Sequence, residues 1–264
     1  MDIEKGDFTE TNINKSIAII EDFIKKLMAE VGSKYGGENA NNILKGTILK
    51  FISILNLFSI ALNLSLKFIA EPKKIFEMAN KFTFNEEGIS RDYYVIARFN
   101  FFIGIFSLFE DAIYNGISPS IFDEDEFNRM KVPQFVKILE NEDINNMIKE
   151  EYPTIHKNFL KTNTFVPIDR IISGLRKKGI ISEDQESFLI GCKVIRNSMH
   201  NNGYHKFPTP KKLLMFDEEF VINENEPLDF MSLERILKWG IEIIKIFKEI
   251  AFKTDWKNIK DNTI

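Results

Sequence analysis

Apolar residues recur every three to four positions through most of this chain, the spacing of one buried helical face, and the pattern predicts a mostly helical fold. The first such run is Thr11 to Val31, with Ile17, Ile20, Phe23, Ile24 and Leu27 on one face and Gly32 and the Gly36-Gly37 pair to end it. A second run, Phe51 to Leu66, lies between Lys50 and Lys67, and Pro72 follows it. Within it Ser53, Asn56, Asn63 and Lys67 make a narrow polar stripe, as expected for a central helix of a bundle. Its apolar stretch falls short of the ~20 residues a bilayer needs, so no membrane span is expected. Ser90 to Tyr114 reads as a third helix, rich in Phe (Phe99, Phe101, Phe102, Phe106, Phe109) and closed by Gly116 and Pro119. Aromatics at this spacing are core positions, since each buries a large area without needing a polar partner.

The pattern then breaks. Residues 121–151 are acidic, with short helical pieces at Pro133 to Leu139 and Asp143 to Glu150. Asp123-Glu124-Asp125-Glu126 reads as a solvated loop or helix start, because a divalent ion needs oxygens converging from several elements. Two more helices follow, Val166 to Lys178 and Ser182 to Asn202, the latter opening on a Ser with Gln three residues later. Leu213 to Phe216 and Phe220 to Ile222 flank Asp217-Glu218-Glu219 as a short hairpin. Ser232 to Phe252 closes the pattern with Leu233, Ile236, Leu237, Ile241, Ile244 and Phe247 on one face. A weak boundary at Phe84 to Gly88 separates an N-terminal helical extension, 1–85, from a helical domain over 86–264, unless the two are one continuous domain.

Composition narrows the chemistry. The 264 residues include 35 Lys+Arg, 39 Asp+Glu and one cysteine, Cys192. A lone thiol allows no internal disulfide and no thiolate zinc cage, and the three His are too scattered for a metal cluster, so no metal or cofactor is expected. Acidic residues precede the first apolar run, unlike a secretory leader, and a cytoplasmic location is expected. No phosphate-binding Gly-rich loop, His-Glu-x-x-His or Gly-x-Ser-x-Gly occurs, which leaves kinase, dehydrogenase and common hydrolase templates without a foothold.

The net charge of −4 argues against a protein that coats nucleic acid all over. The charge is unevenly spread, however: Arg170 to Phe216 carries nine Lys+Arg against three Asp+Glu. This basic stretch contains Val194-Ile195-Arg196-Asn197-Ser198-Met199-His200-Asn201-Asn202-Gly203-Tyr204-His205. On a helix, at about 100° per residue, Phe188, Cys192, Ile195 and Met199 share a core-facing arc while Lys193, Arg196, Asn197 and His200 share another. Gly203 sits where a C′ glycine ends a helix.

Arg196-Asn197 followed by His200-Asn201-Asn202-Gly203, on the penultimate helix, resembles the signature of the HEPN superfamily (higher eukaryote and prokaryote nucleotide-binding domain). In that family four to six residues stand between an Arg, usually followed by a polar residue such as Asn, and a His, and this chain departs from that by having one fewer. Here three residues separate Arg196 from His200, which keeps both on one helical face as i and i+4. The resemblance covers Ser90 to Lys253 and implies an all-α bundle of HEPN type, with extra N-terminal helices and a short β-hairpin before the last helix.

Many members are metal-independent endoribonucleases of toxin-antitoxin, abortive-infection and CRISPR systems; others only bind or scaffold. Carried onto this chain, the resemblance implies Arg196, His200 and Asn197 as the catalytic set. His200 would be the general acid or base, Arg196 the clamp on the scissile phosphate, and Asn197 a hydrogen-bonding partner of phosphate or imidazole. Lys193, Asn201 and Lys206 would bind substrate, with Tyr204 packing or stacking on a base. His205 is a weaker candidate. Glu110, on the Phe-rich helix, would orient Arg196. Since one His does not readily serve as both acid and base, the family's solution, a homodimer with a composite site, is expected here too. RNA is the expected substrate, an antitoxin or regulatory protein a further partner, and a membrane is not. A non-catalytic RNA-binding or protein-interaction module, and a plain helical scaffold, remain the alternatives.

Overall fold

The computed structural model describes residues 9–34, 42–70, 86–133, 142–153, 164–200, 210–216, 218–224, 228 and 231–254. They are mostly helical with two small antiparallel pairings. In chain order come α1 (Glu10–Lys34), α2 (Asn42–Ala70) and α3 (Glu86–Asp111), the last running on through a π-helical stretch, Ala112–Ile117. Next are α4 (Ser118–Ile121), α5 (Glu124–Met130), strand β1 (Val132–Pro133), α6 (Glu142–Glu151) and strand β2 (Thr164–Phe165). After them come α7 (Ile168–Lys177), α8 (Glu183–His200), the hairpin β3 (Lys211–Met215) and β4 (Glu218–Ile222), and α9 (Leu233–Lys253).

One apolar cluster runs through α1, α2, α3, α7, α8, the hairpin and α9. Helix α3 lies against α2, α9 and α8, and α1 packs on α2 and α9. Phenyl rings join these layers: Phe58 stacks on Phe101 at 4.2 Å between centroids, and Phe51 meets Phe247 edge-on at 5.4 Å. Trp239 of α9 is shared by Phe102 and Phe220, which ties the hairpin to α3. The buried Arg98 of α3 donates to the Met231 carbonyl at 2.8 Å, fixing the entry of α9.

Several expectations are corrected. Helix α2 is longer than the apolar run Phe51 to Leu66, because Lys50 lies on its exposed side and does not interrupt it. Within it Leu44–Lys67 is long and apolar enough, by length and composition, to cross a membrane, so the argument from shortness fails. Its outer side is not a narrow polar stripe either, since Leu49, Leu57, Ile60 and Leu64 are exposed beside Ser53, Asn56 and Asn63. Helix α2 lies between α1 and α3 and also meets α9 through Phe51.

The stop expected at Gly116 and Pro119 is a widened turn instead. The Ser118 N–H bonds the Ile113 carbonyl five residues back, and Pro119 sits in the first turn of α4, where no N–H donor is needed. The helix expected from Pro133 begins as a strand, with Val132 opposite Phe165 and Pro133 opposite Thr164; residues 134–140 lie outside the described residues. The next helix starts at Ile168, because Pro167 stands before it in extended backbone as its N-cap and Val166 stays outside. Strand β3 starts two residues earlier than expected and ends at Met215, where Phe216 turns at φ 57, and β4 takes in Glu218 and Glu219, which pair with Met215 and Leu214. Of the two readings of the acidic run at Asp123, the helix start is the one found: Asp123 and Glu126 form a reciprocal capping box on α5.

Candidate functional site

Helix α8 carries the site. Ser182 and Gln185 cap it reciprocally, the Gln185 N–H donating to Ser182 Oγ at 3.1 Å and the Ser182 N–H to Gln185 Oε1 at 2.9 Å. Phe188, Cys192, Ile195 and Met199 are buried along one side of it. Gly191 allows the hairpin to close on a second side, since a Cβ there would stand 3.1 Å from Met215. With those sides fixed, Lys193, Arg196 and Asn197 are held half-buried on what remains.

Arg196 is the most constrained of them. Its Nη2 forms an ion pair with Glu110 of α3, each side chain 20% exposed. Its Nη1 donates to Asn197 Oδ1 at 3.0 Å, and the guanidinium carbon stands 5.7 Å from the centre of the Phe106 ring. The Nε is buried with no hydrogen-bond partner among the described residues. Burial draws the guanidinium pKa below its ordinary value, though a guanidinium keeps its charge at any physiological pH. Two of its five N–H groups are thus engaged and the Nε–H is buried, which leaves one further N–H on each Nη.

One turn earlier, the Lys193 ammonium binds Asp169 of α7 at 2.8 Å. Burial raises the Asp169 carboxyl, but the hydrogen bond and charge of Lys193 outweigh it, and the group lies below the usual carboxylate range. Lys193, expected to meet a flanking phosphate, is therefore already neutralised. The Cys192 thiol is wholly buried and pushed well above its ordinary pKa, which makes it inert packing.

Of the residues proposed from sequence, the structure brings together Arg196, Asn197 and Glu110, and sets Lys193 one turn away. His200 is the last residue of α8, four after Arg196. Asn201, Tyr204 and Lys206, with His205, lie outside the described residues. Sequence reasoning missed Phe106 and Asp169. The first was within reach, because Phe106 precedes Glu110 by one helical turn and the two meet the same guanidinium. Among the described residues no three His, Cys, Asp or Glu come together as a metal site would require. No family model, curated protein or solved structure matches this chain.

Proposed function

We propose that the protein is a metal-independent endoribonuclease of HEPN type. The observation that supports this most is the arrangement of Arg196, held by Glu110 and in contact with Asn197 on the helix that ends at His200. A guanidinium fixed this way is pre-oriented, so little freedom is lost when it meets a phosphate.

His200 takes the proton of a ribose 2′-hydroxyl, O2′ attacks phosphorus, and the bond from phosphorus to O5′ breaks. The products are a 2′,3′-cyclic phosphate end and a 5′-hydroxyl end, with a proton delivered to the leaving O5′. Arg196 stabilises the charge on the pentacoordinate phosphorus, and Asn197 keeps the guanidinium in its plane. His200 of a second copy supplies the leaving-group proton, which calls for a homodimer. Tyr204 is the poorer acid, its ordinary pKa being near 10. A toxin or phage-defence role follows from the same resemblance, with an antitoxin or activator as partner.

One observation favours a second proposal, a non-catalytic RNA-binding or protein-interaction module. The Glu110 ion pair, the Asn197 bond and the Phe106 ring together are also what a purely structural arginine would have.

The test is incubation of the purified protein with mixed RNA in EDTA, beside His200→Ala and Arg196→Ala. Cyclic phosphate ends that vanish in both variants support the enzyme. Cleavage that survives both, or that needs metal, overturns it, and binding without cleavage favours the module.

A further inference from the structure

A cleft of about 580 Å³ opens beside α8, between α5 and α7. Its lining includes four cations, Arg129, Arg170, Lys177 and Lys178, and two carboxylates, Glu126 and Asp169. Both carboxylates are already neutralised. Glu126 accepts from Lys178 at 2.9 Å, and Asp169 from Lys193, which stands outside the lining. Arg129, Arg170 and Lys177 then remain, all exposed and with no ion pair among the described residues. Arg170 is steadied by donating to the Met130 carbonyl at 3.2 Å, which bridges α7 to the end of α5.

Four cations against two carboxylates around one concavity leave a positive potential in it, although the chain as a whole is acidic. The cleft reaches α8 one face round from Arg196. Ile190 of α8 forms part of its wall, and the Asp169–Lys193 pair links its edge to the turn just before Arg196. Ile190 and Arg196 are six positions apart on the helix, about 9 Å along the axis.

We infer that this cleft binds the phosphate backbone of single-stranded RNA, through Arg129, Arg170 and Lys177, on one side of the Arg196 face. The inference rests on the RNA substrate proposed above but not on cleavage. Exposed Lys and Arg along a groove read backbone and not sequence, so the contribution is affinity and salt dependence without base preference.

The test is fluorescence anisotropy with a labelled 2′-O-methyl RNA oligonucleotide, which attack by a 2′-hydroxyl cannot cut. The wild-type protein is compared with Arg129→Ala/Arg170→Ala/Lys177→Ala and with Lys15→Ala/Lys25→Ala/Lys50→Ala. The second triple removes the same charge from α1 and α2, which do not line the cleft. All six side chains are exposed, and circular dichroism checks that both variants fold.

The cleft triple is expected to weaken binding on the order of tenfold or more and to lower the salt slope by about two, at roughly 0.7 per lost phosphate contact. The control triple should stay near wild type. Equal effects of the two triples, no effect of the first, or no binding by the wild type would overturn the inference. Cleavage of ordinary RNA with binding unmoved by the cleft triple overturns the cleft alone. Loss of binding in that triple, with a wild type that never cleaves, overturns the ribonuclease alone.

Discussion

Glu110 of α3 and Arg196 of α8 form an ion pair, each side chain 20% exposed, where the two helices meet. A pair this sheltered is felt most when one partner is removed, because the other charge stays behind with poor hydration. Glu110→Ala should therefore destabilise the fold by about 2 kcal/mol, and Arg196→Ala by a similar amount. The double variant should cost less than the sum, with a coupling of about 1 kcal/mol in a double-mutant cycle read by urea unfolding. Additive losses would mean that the two side chains do not interact in solution.

Arg196→Lys separates a structural charge from a catalytic fork. Lysine can still neutralise Glu110, so the fold should lose no more than about 1 kcal/mol. It cannot hold a phosphate with two parallel N–H groups, and RNA cleavage should fall on the order of a hundredfold. Near-normal cleavage by the lysine variant would show that a point charge suffices there.

Asp169 gives the fold a dependence on acid. Burial alone would raise its carboxyl, but Lys193 holds it below the ordinary value of about 3.9 in the folded state. A depressed carboxyl adds stability that is present above its unfolded pKa and is lost as pH falls through the folded one. Urea midpoints measured from pH 5 down to pH 2.5 should therefore drop more steeply for the wild type than for Asp169→Asn. Parallel curves would mean that the Lys193 contact does not persist.

Much of this architecture is legible from periodicity alone, where one element buries one face. Helices α1, α8 and α9 show it, and Ser182 with Gln185 marks the start of α8 to within a residue. Tertiary decisions are less visible. A two-residue pairing such as Val132–Pro133 with Thr164–Phe165 has no period to detect. Gly116 and Pro119 suit a stop and a π-helical widening equally well, and only the Ser118 bond to Ile113 distinguishes them. The same division holds at the site. Arg196, Asn197 and Glu110 could be picked out as residue types on two helices, and they meet. Asp169 could not, because its contact with Lys193 depends on how α7 lies across α8, which neither helix's own pattern states.

Glycines of the long helices provide a last test, because two of them should respond to the same substitution in opposite directions. A Cβ at Gly240 of α9 would stand 2.8 Å from the buried Phe101 ring of α3. Phe101 also stacks on Phe58, so the ring cannot withdraw without disturbing α2. Gly240→Ala should therefore cost about 1–3 kcal/mol through overpacking, in spite of alanine's better helix propensity. At Gly46 of α2 nothing lies within 4 Å of the same Cβ, and only the propensity gain remains. Gly46→Ala should stabilise by about 0.5–1 kcal/mol. Urea unfolding of the two variants side by side decides the matter: a Gly240→Ala protein as stable as the wild type would mean that α3 and α9 are farther apart than this packing requires.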